Sequence, residues 1–192
     1  MASVRHIGVA ALRGISYNTL VIFCHMLIFD ASTLILIAKI DLLELFLGTL
    51  SMRTAIPVAV HRECCGVKKT FDSLMIQKAV DDSRIEVAVV KDRKAISRLR
   101  EDFSLGAGES EVIAMALQSD ARLVGIDDKN AINACRFLRL PFTTAVGILL
   151  VCRERNLVGK NEAVDKLDML AKYGRYKNSI IDDVRIRLED YP

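Results

Sequence analysis

A chain of 192 residues with 52% hydrophobic and 27% charged side chains and only three prolines is long enough for one filled core, which excludes a disordered or fibrous protein. Its 27 Lys and Arg against 24 Asp and Glu leave a net charge of +3, which neither demands nor opposes a nucleic-acid partner. The five cysteines (Cys24, Cys64, Cys65, Cys135, Cys152) show no C-x-x-C spacing and His6, His25 and His61 stand apart, so buried thiols in a reducing cytoplasm are expected rather than disulfides or a zinc site.

Residues 1–25 carry no motif. Arg5, His6 and Arg13 ahead of the apolar run Leu20 to Phe29 bear a faint likeness to an export signal, but no small-residue cleavage site follows. The run is broken by His25 and is too short to span a bilayer, so no membrane association is expected.

Met26-Leu-Ile-Phe-Asp30 is a short continuous apolar run, the pattern of a strand buried on both faces of a parallel sheet, with Asp30 at its carboxyl end. Ser32 and Thr33 suit the cap of a helix expected over residues 34–47. Ala55 to Val60 reads as a second strand, with Pro57 placing the ordered part at 58–60. A mostly helical stretch over 61–79 then carries Glu63 in its first turn. Ile85 to Val90 reads as a third strand, 94–102 as a short helix, Gly106-Ala-Gly108 as a loop and 109–119 as a helix. Arg122 to Ile126 is a fourth strand ending in Asp127-Asp128, and helices are expected over 129–138, 144–155, 161–172 and 179–189. Alternation of this kind implies βαβ crossovers, hence an α/β fold: a three-layer α/β/α sandwich around a parallel sheet of four to five strands. No repeat or linker divides the chain.

Ligands of open parallel sheets bind outside the carboxyl ends of the strands, where Asp30 and Asp127 fall by these assignments. Glu63 and Glu109 begin helices leaving the same edge, so four carboxylates converge in expectation. Like charges that close stay ionised together only with a cation among them, and oxygen-only donors favour Mg²⁺ or Mn²⁺. Of the two acids on the helix after Gly108, Glu109 shares a stripe with Val112, Ile113, Ala116 and Leu117. Glu111, two residues on, points about 200° away, as a surface charge or the partner of a basic residue. Each acid taken singly also has a structural reading: Asp30, Asp127 and Asp128 as helix N-caps, Glu63 and Glu109 as charges favoured by a helix dipole. Only one of Asp127 and Asp128 can extend the strand inward while the other caps the helix. Arg62, Lys68, Lys69, Lys78, Arg93, Lys94, Arg98 and Arg100 gather in one stretch, as a phosphate-contacting rim or an ordinary solvated face.

Leu27-Ile-Phe-Asp-Ala-Ser-Thr33, Gly108-Glu-Ser-Glu-Val-Ile-Ala-Met-Ala116 and Val124-Gly-Ile-Asp-Asp128 resemble the first, third and fourth acidic motifs of PIN-domain ribonucleases, specifically the prokaryotic branch related to VapC toxins. Thr144-Ala-Val-Gly147 and a helical tail from Ala163 to Leu188 extend the resemblance to about residues 26–190. The resemblance implies metal-ligating or catalytic roles for Asp30, Glu63, Glu109 and Asp127, with Asp128 as a close substitute. It implies support of the first acid by Ser32 and a polar role for Asn133. Glu63 rests on the least specific match, Val60-His-Arg-Glu63. Because the family begins at its first strand, residues 1–25 are expected to be an added segment or a mis-assigned start ahead of a true start at Met26.

The same resemblance implies a Mg²⁺- or Mn²⁺-dependent endoribonuclease leaving a 5′-phosphate and a 3′-hydroxyl. By the same token it implies a toxin held by a small antitoxin protein, and a homodimer. A non-catalytic RNA-binding or scaffold PIN protein is the alternative, and such a module is expected to lack some of the acids. A haloacid-dehalogenase-like phosphatase needs a second Asp two residues after the first, and Ser32 stands there.

Overall fold

A computed structural model describes residues 26–66, 69–119 and 121–190. The readings placed on residues 1–25, including His6, His25 and Cys24, and on Lys68 lie outside the described residues.

Strand β1 (Met26–Phe29) occupies the centre of the sheet, and Leu27, Ile28 and Phe29 are fully buried. On one side it pairs in parallel with β2 (Arg53–Pro57), which pairs with β3 (Glu86–Ala88). On the other it pairs with β4 (Ala121–Gly125), followed by the two-residue β5 (Phe142–Thr143). The order β3-β2-β1-β4-β5 therefore reverses direction between β1 and β4. The five-stranded all-parallel sheet with its flanking helices is the expected α/β/α sandwich.

The chain begins α1 (Ala31–Lys39) and α2 (Leu43–Gly48) after β1, and α3 (Val58–Cys65) and α4 (Phe71–Asp81) after β2. Helices α5 (Arg93–Phe103) and α6 (Ala107–Gln118) follow β3, and α7 (Lys129–Phe137) follows β4. Three helices close the chain: α8 (Ala145–Glu154), α9 (Lys160–Tyr173) and α10 (Asn178–Asp190). Helix α6 lies on β1, β2 and β4 with α5 and α7 beside it, whereas α1 packs with α4 and α8, and α9 and α10 extend that layer. Helix α3 touches both α1 and α6, and so spans the two layers at the carboxyl edge.

Several expected elements move, for local reasons. The helix over 34–47 is two helices, because Asp41 adopts a left-handed φ of 51° that ends α1. The freed carbonyls of Ile40 and Asp41 accept hydrogen bonds from the buried Lys166 Nζ at 2.7 and 3.1 Å. The second strand ends at Pro57 rather than occupying 58–60, since proline lacks the N–H to continue a ladder yet suits the entry to a helix. Residues 58–60 are already α3, which puts Glu63 in its second turn, not its first. The helical stretch 61–79 is broken after Gly66 and restarts at Phe71. Gly108 belongs to α6 rather than to a loop, and β5 is an addition to the four strands read from the sequence.

Candidate active site

The reversal of strand order leaves a crevice outside the carboxyl ends of β1 and β4. Two backbone bonds align this edge: Asp30 N–H donates to Gly125 O at 2.8 Å, and Ile126 N–H to Thr143 O at 2.8 Å. At Gly125 the close approach of strand and ring requires glycine, because a Cβ would stand 2.3 Å from the Phe29 ring. The chain thus delivers Asp30 and the Asp127-Asp128 pair to one crevice from adjacent strands.

Asp30 is the N-cap of α1 and is 3% exposed. Its Oδ2 accepts from Ser32 N–H at 3.2 Å and from Ser32 Oγ–H at 2.6 Å. Ser32 therefore meets the first acid as the resemblance implies, and Oδ1 lies on the side of Gly108. Burial pushes this carboxyl above its ordinary range; the Ser32 bonds oppose the shift and the charge of Asp128 adds to it.

Gly108 shows how closely the next acid approaches. A Cβ built on it would lie 3.4 Å from Glu63 Oε2 and 3.7 Å from Asp30 Oδ1, so α3, α6 and β1 bring these carboxylates around one point. The Glu63 carboxyl is raised by desolvation and then by the charge of Asp30. Glu109 turns its Oε2 back to the N–H of Gly106, at 2.8 Å, as an acid in the first turn of a helix is placed to do. Desolvation raises its carboxyl, and Asp128, Asp30 and Glu63 raise it further. Of the stripe that chose Glu109 over Glu111, Val112, Ile113 and Ala116 are buried, as are Ala114 and Met115 between them, whereas Leu117 is 49% exposed.

The adjacent acids Asp127 and Asp128 divide the two roles that the sequence left open, Asp127 turning inward and Asp128 capping the helix. Asp127 is held at both oxygens: Oδ2 accepts from Thr33 Oγ1–H at 2.7 Å and from Ala145 N–H at 2.9 Å, and Oδ1 from the Tyr176 hydroxyl. One carboxylate thereby ties β4 to α1, to the start of α8 and to the segment between α9 and α10. Burial raises the Asp127 carboxyl, while these three donors favour its charged form. Asp128 caps α7 with Oδ1 alone, accepting from the N–H groups of Asn130 and Ala131 at 2.7 and 3.0 Å. Its charge is among those raising Asp30 and Glu109, which puts it in the field of the crevice.

Glu111 is a half-buried partner of a basic residue, the second of its two expected roles. At 13% side-chain exposure it accepts from Ala59 N–H at 3.3 Å and pairs with Arg93 at 3.3 Å, fastening α3 to α6 and to the start of α5. Asn133 does not join the acids: it is exposed on α7 and faces Arg136 of its own helix at 3.5 Å. Of the basic stretch, Lys78 is tied to Glu44 and Asp82, while Arg62, Lys69, Lys94, Arg98 and Arg100 are not buried.

Tyr176, Thr33 and the Ala145 amide were not legible as site residues. Tyr176 reaches the edge because Gly174 makes room for its ring: a Cβ there would stand 2.4 Å from a ring carbon. The Tyr-Gly-x-Tyr sequence at 173–176 is the one local sign of that fold-back.

Among the described residues, no three Asp, Glu, His or Cys side chains stand close enough to form a ready-made metal cage. Asp30, Glu63, Glu109 and Asp128 also make no ion pair with a basic side chain there. Carboxylates that raise one another and lack a basic partner have the donor chemistry that suits a hard divalent cation. In donor chemistry, oxygen-only and without a thiolate or imidazole, the residues present fit such an ion.

A parallel sheet whose carboxyl edge carries the buried Asp30, the partly buried Glu109, Asp127 and Asp128 and the exposed Glu63 at its topological switch point has the arrangement of a PIN-type hydrolase site. Residues 26–189 match the PIN domain family, and the chain belongs to it. No curated protein sequence matches the chain. PIN domains are in general nucleases, which sets the class of chemistry as hydrolysis of phosphodiester bonds. Among the described residues, no helix is long and apolar enough to cross a membrane.

Proposed function

We propose that this chain is a Mg²⁺- or Mn²⁺-dependent endoribonuclease acting on single-stranded or structured RNA, and that it is the toxin of a toxin–antitoxin pair. The observation that carries the reading is the set Asp30, Glu63, Glu109 and Asp128 at one crevice, where no described basic side chain pairs with them. Asp30, Glu109 and Asp128 would hold the cation, and Glu63 lies at its rim. Asp127, held by Thr33, Ala145 and Tyr176, anchors the edge beside them, and its carboxylate keeps a lone pair for the cation, in line with the family resemblance. When bound, such a cation offsets charge at the phosphodiester and acidifies water.

The side chains divide the remaining work. Ser32 fixes the Asp30 carboxylate through one oxygen, with the other on the side of Gly108. Glu63, exposed at the rim and raised by desolvation and then by the charge of Asp30, is the acid placed to exchange a proton with water there. Products with a 5′-phosphate and a 3′-hydroxyl are expected. A small antitoxin that covers the acidic crevice with a basic side chain, a homodimer and a cytoplasmic location complete the proposal.

Cleavage of an end-labelled single-stranded RNA in Mg²⁺, Mn²⁺ or EDTA, with Asp30→Asn and Asp128→Asn beside it, tests the reading. Metal-dependent cutting lost in both variants supports it. Absence of cutting on several RNAs, with any copurified partner stripped away, replaces it with a non-catalytic PIN module.

A further inference from the structure

Away from the acids, α7 carries the most exposed large apolar side chain among the described residues, Phe137, at 77% exposure. A singly exposed phenylalanine is ordinary by itself, and what sets this one apart is its fixed ring and its neighbours. Its ring stands edge-on to Phe103 at the end of α5, with centroids 5.6 Å apart, so it is held in place rather than free to sweep. Beside it the Arg136 guanidinium lies over the Phe142 ring at 5.7 Å.

On α7 the surroundings are cationic and amide-rich, while α5 brings the exposed acids Glu101 and Asp102 ahead of Phe103. Lys129, Asn130, Asn133, Arg136 and, just beyond the helix, Arg139 are exposed, and α7 itself contains no acid. Asn130 Nδ2 donates to Ser104 O at 3.3 Å, joining this face to α5, where Arg100 stands beside Glu101. A protein partner would be met by a broad apolar patch with a polar rim. A single supported ring among cations and amides matches an unpaired base and its phosphates.

We propose that the Phe137–Phe103 pair is a stacking platform for an unpaired base of single-stranded RNA, with Lys129 and Arg136 on its phosphates. The inference rests on the ribonuclease reading above. Helix α7 connects the two: Asp128 caps its first turn at the crevice and Phe137 ends it, roughly 13 Å along the axis at 1.5 Å per residue. A strand threaded along α7 thus has its scissile bond at the acids and a base on the ring a few nucleotides away. The platform selects for strands unpaired at that distance, a requirement that the acids alone do not impose.

The test measures binding of a fluorescein-labelled single-stranded 12-mer RNA by anisotropy, using full-length Asp30→Asn protein so that no cleavage intervenes. Adding Phe137→Ala is expected to weaken binding about 5- to 150-fold, the worth of one base–aromatic stack, with Phe137→Trp restoring it. Because that side chain is exposed, the substitution leaves the fold in place, which circular dichroism checks. Lys129→Gln and Arg136→Gln are expected to flatten the dependence of affinity on salt, and Phe137→Ala to leave that slope unchanged. Wild-type protein that cuts RNA, with Phe137→Ala binding the 12-mer unchanged, overturns the platform alone. So does a change of oligomeric state in Phe137→Ala at unchanged affinity, which would make the ring a protein contact. Wild-type protein that neither cuts nor binds RNA overturns both readings.

Discussion

Replacing Tyr176 by Phe removes one hydroxyl from the interior and leaves the ring. That hydroxyl is the donor to Asp127 Oδ1, and the ring packs against the core beside Gly174. Hydrogen bonds to charged groups contribute about 1.5–3 kcal/mol, and here the acceptor is a carboxylate shielded from water, so the loss should be about 2 kcal/mol. For a domain of this size that corresponds to a fall in Tm of about 4–8 °C. Urea unfolding of wild type and Tyr176→Phe at pH 7 measures it, with an unchanged m-value showing that the fold is the same. Asp127 loses a donor that favours its charge, so its carboxyl should rise further, and the deficit should shrink as the pH falls and Asp127 takes up a proton. A loss below about 0.5 kcal/mol, or one that does not diminish in acid, would refute the assignment of Asp127 as the anchor.

Asp128→Asn is expected to abolish cutting with little change in stability, because an Asn side chain still caps α7; Thr33→Val, which removes a donor to Asp127, is expected to show the converse pattern, and urea midpoints beside RNA cleavage separate the two. Gly108→Ala should stabilise the chain by about 0.5–1 kcal/mol through helix propensity, yet reduce cutting, because its methyl enters the space between Asp30 Oδ1 and Glu63 Oε2. Without divalent cations, Asp30, Glu63 and Glu109 hold protons in the folded chain that the unfolded chain has released, so stability should fall as the pH rises from the ordinary carboxylate range through their raised values. Mg²⁺ should abolish that fall, and a flat metal-free profile would show that the acids do not feel one another. Arg93→Ala should leave Glu111 without its cation and loosen α5 from α6, seen as faster hydrogen exchange at the start of α3 and α5.

The strand–helix alternation, the central strand and the first acid were legible in the sequence because they depend on local pattern. An unbroken apolar run such as Leu27 to Phe29 has no exposed face to offer and must lie inside a parallel sheet, and the residue that ends it must emerge at the edge. Helical periodicity likewise separated Glu109 from Glu111, which point to opposite sides of α6 whatever surrounds it. Proline gave the wrong lead at 55–60, since its chemistry allows either a strand beginning after it or a helix entered through it, and β3 pairing with Arg53–Pro57 chose the second. The division of labour between Asp127 and Asp128 was undecidable from sequence, both being acids after the same strand. It is decided by Thr33, Ala145 and Tyr176, which come from three other segments, up to 94 residues away along the chain. What the sequence determined by itself is thus the set of elements and the acids at their ends, through steric and hydrophobic rules that act over a few residues. Which acid caps its own helix and which is tied to distant segments only the tertiary structure decided, because hydrogen-bond donors reach a carboxylate through space and not through the chain.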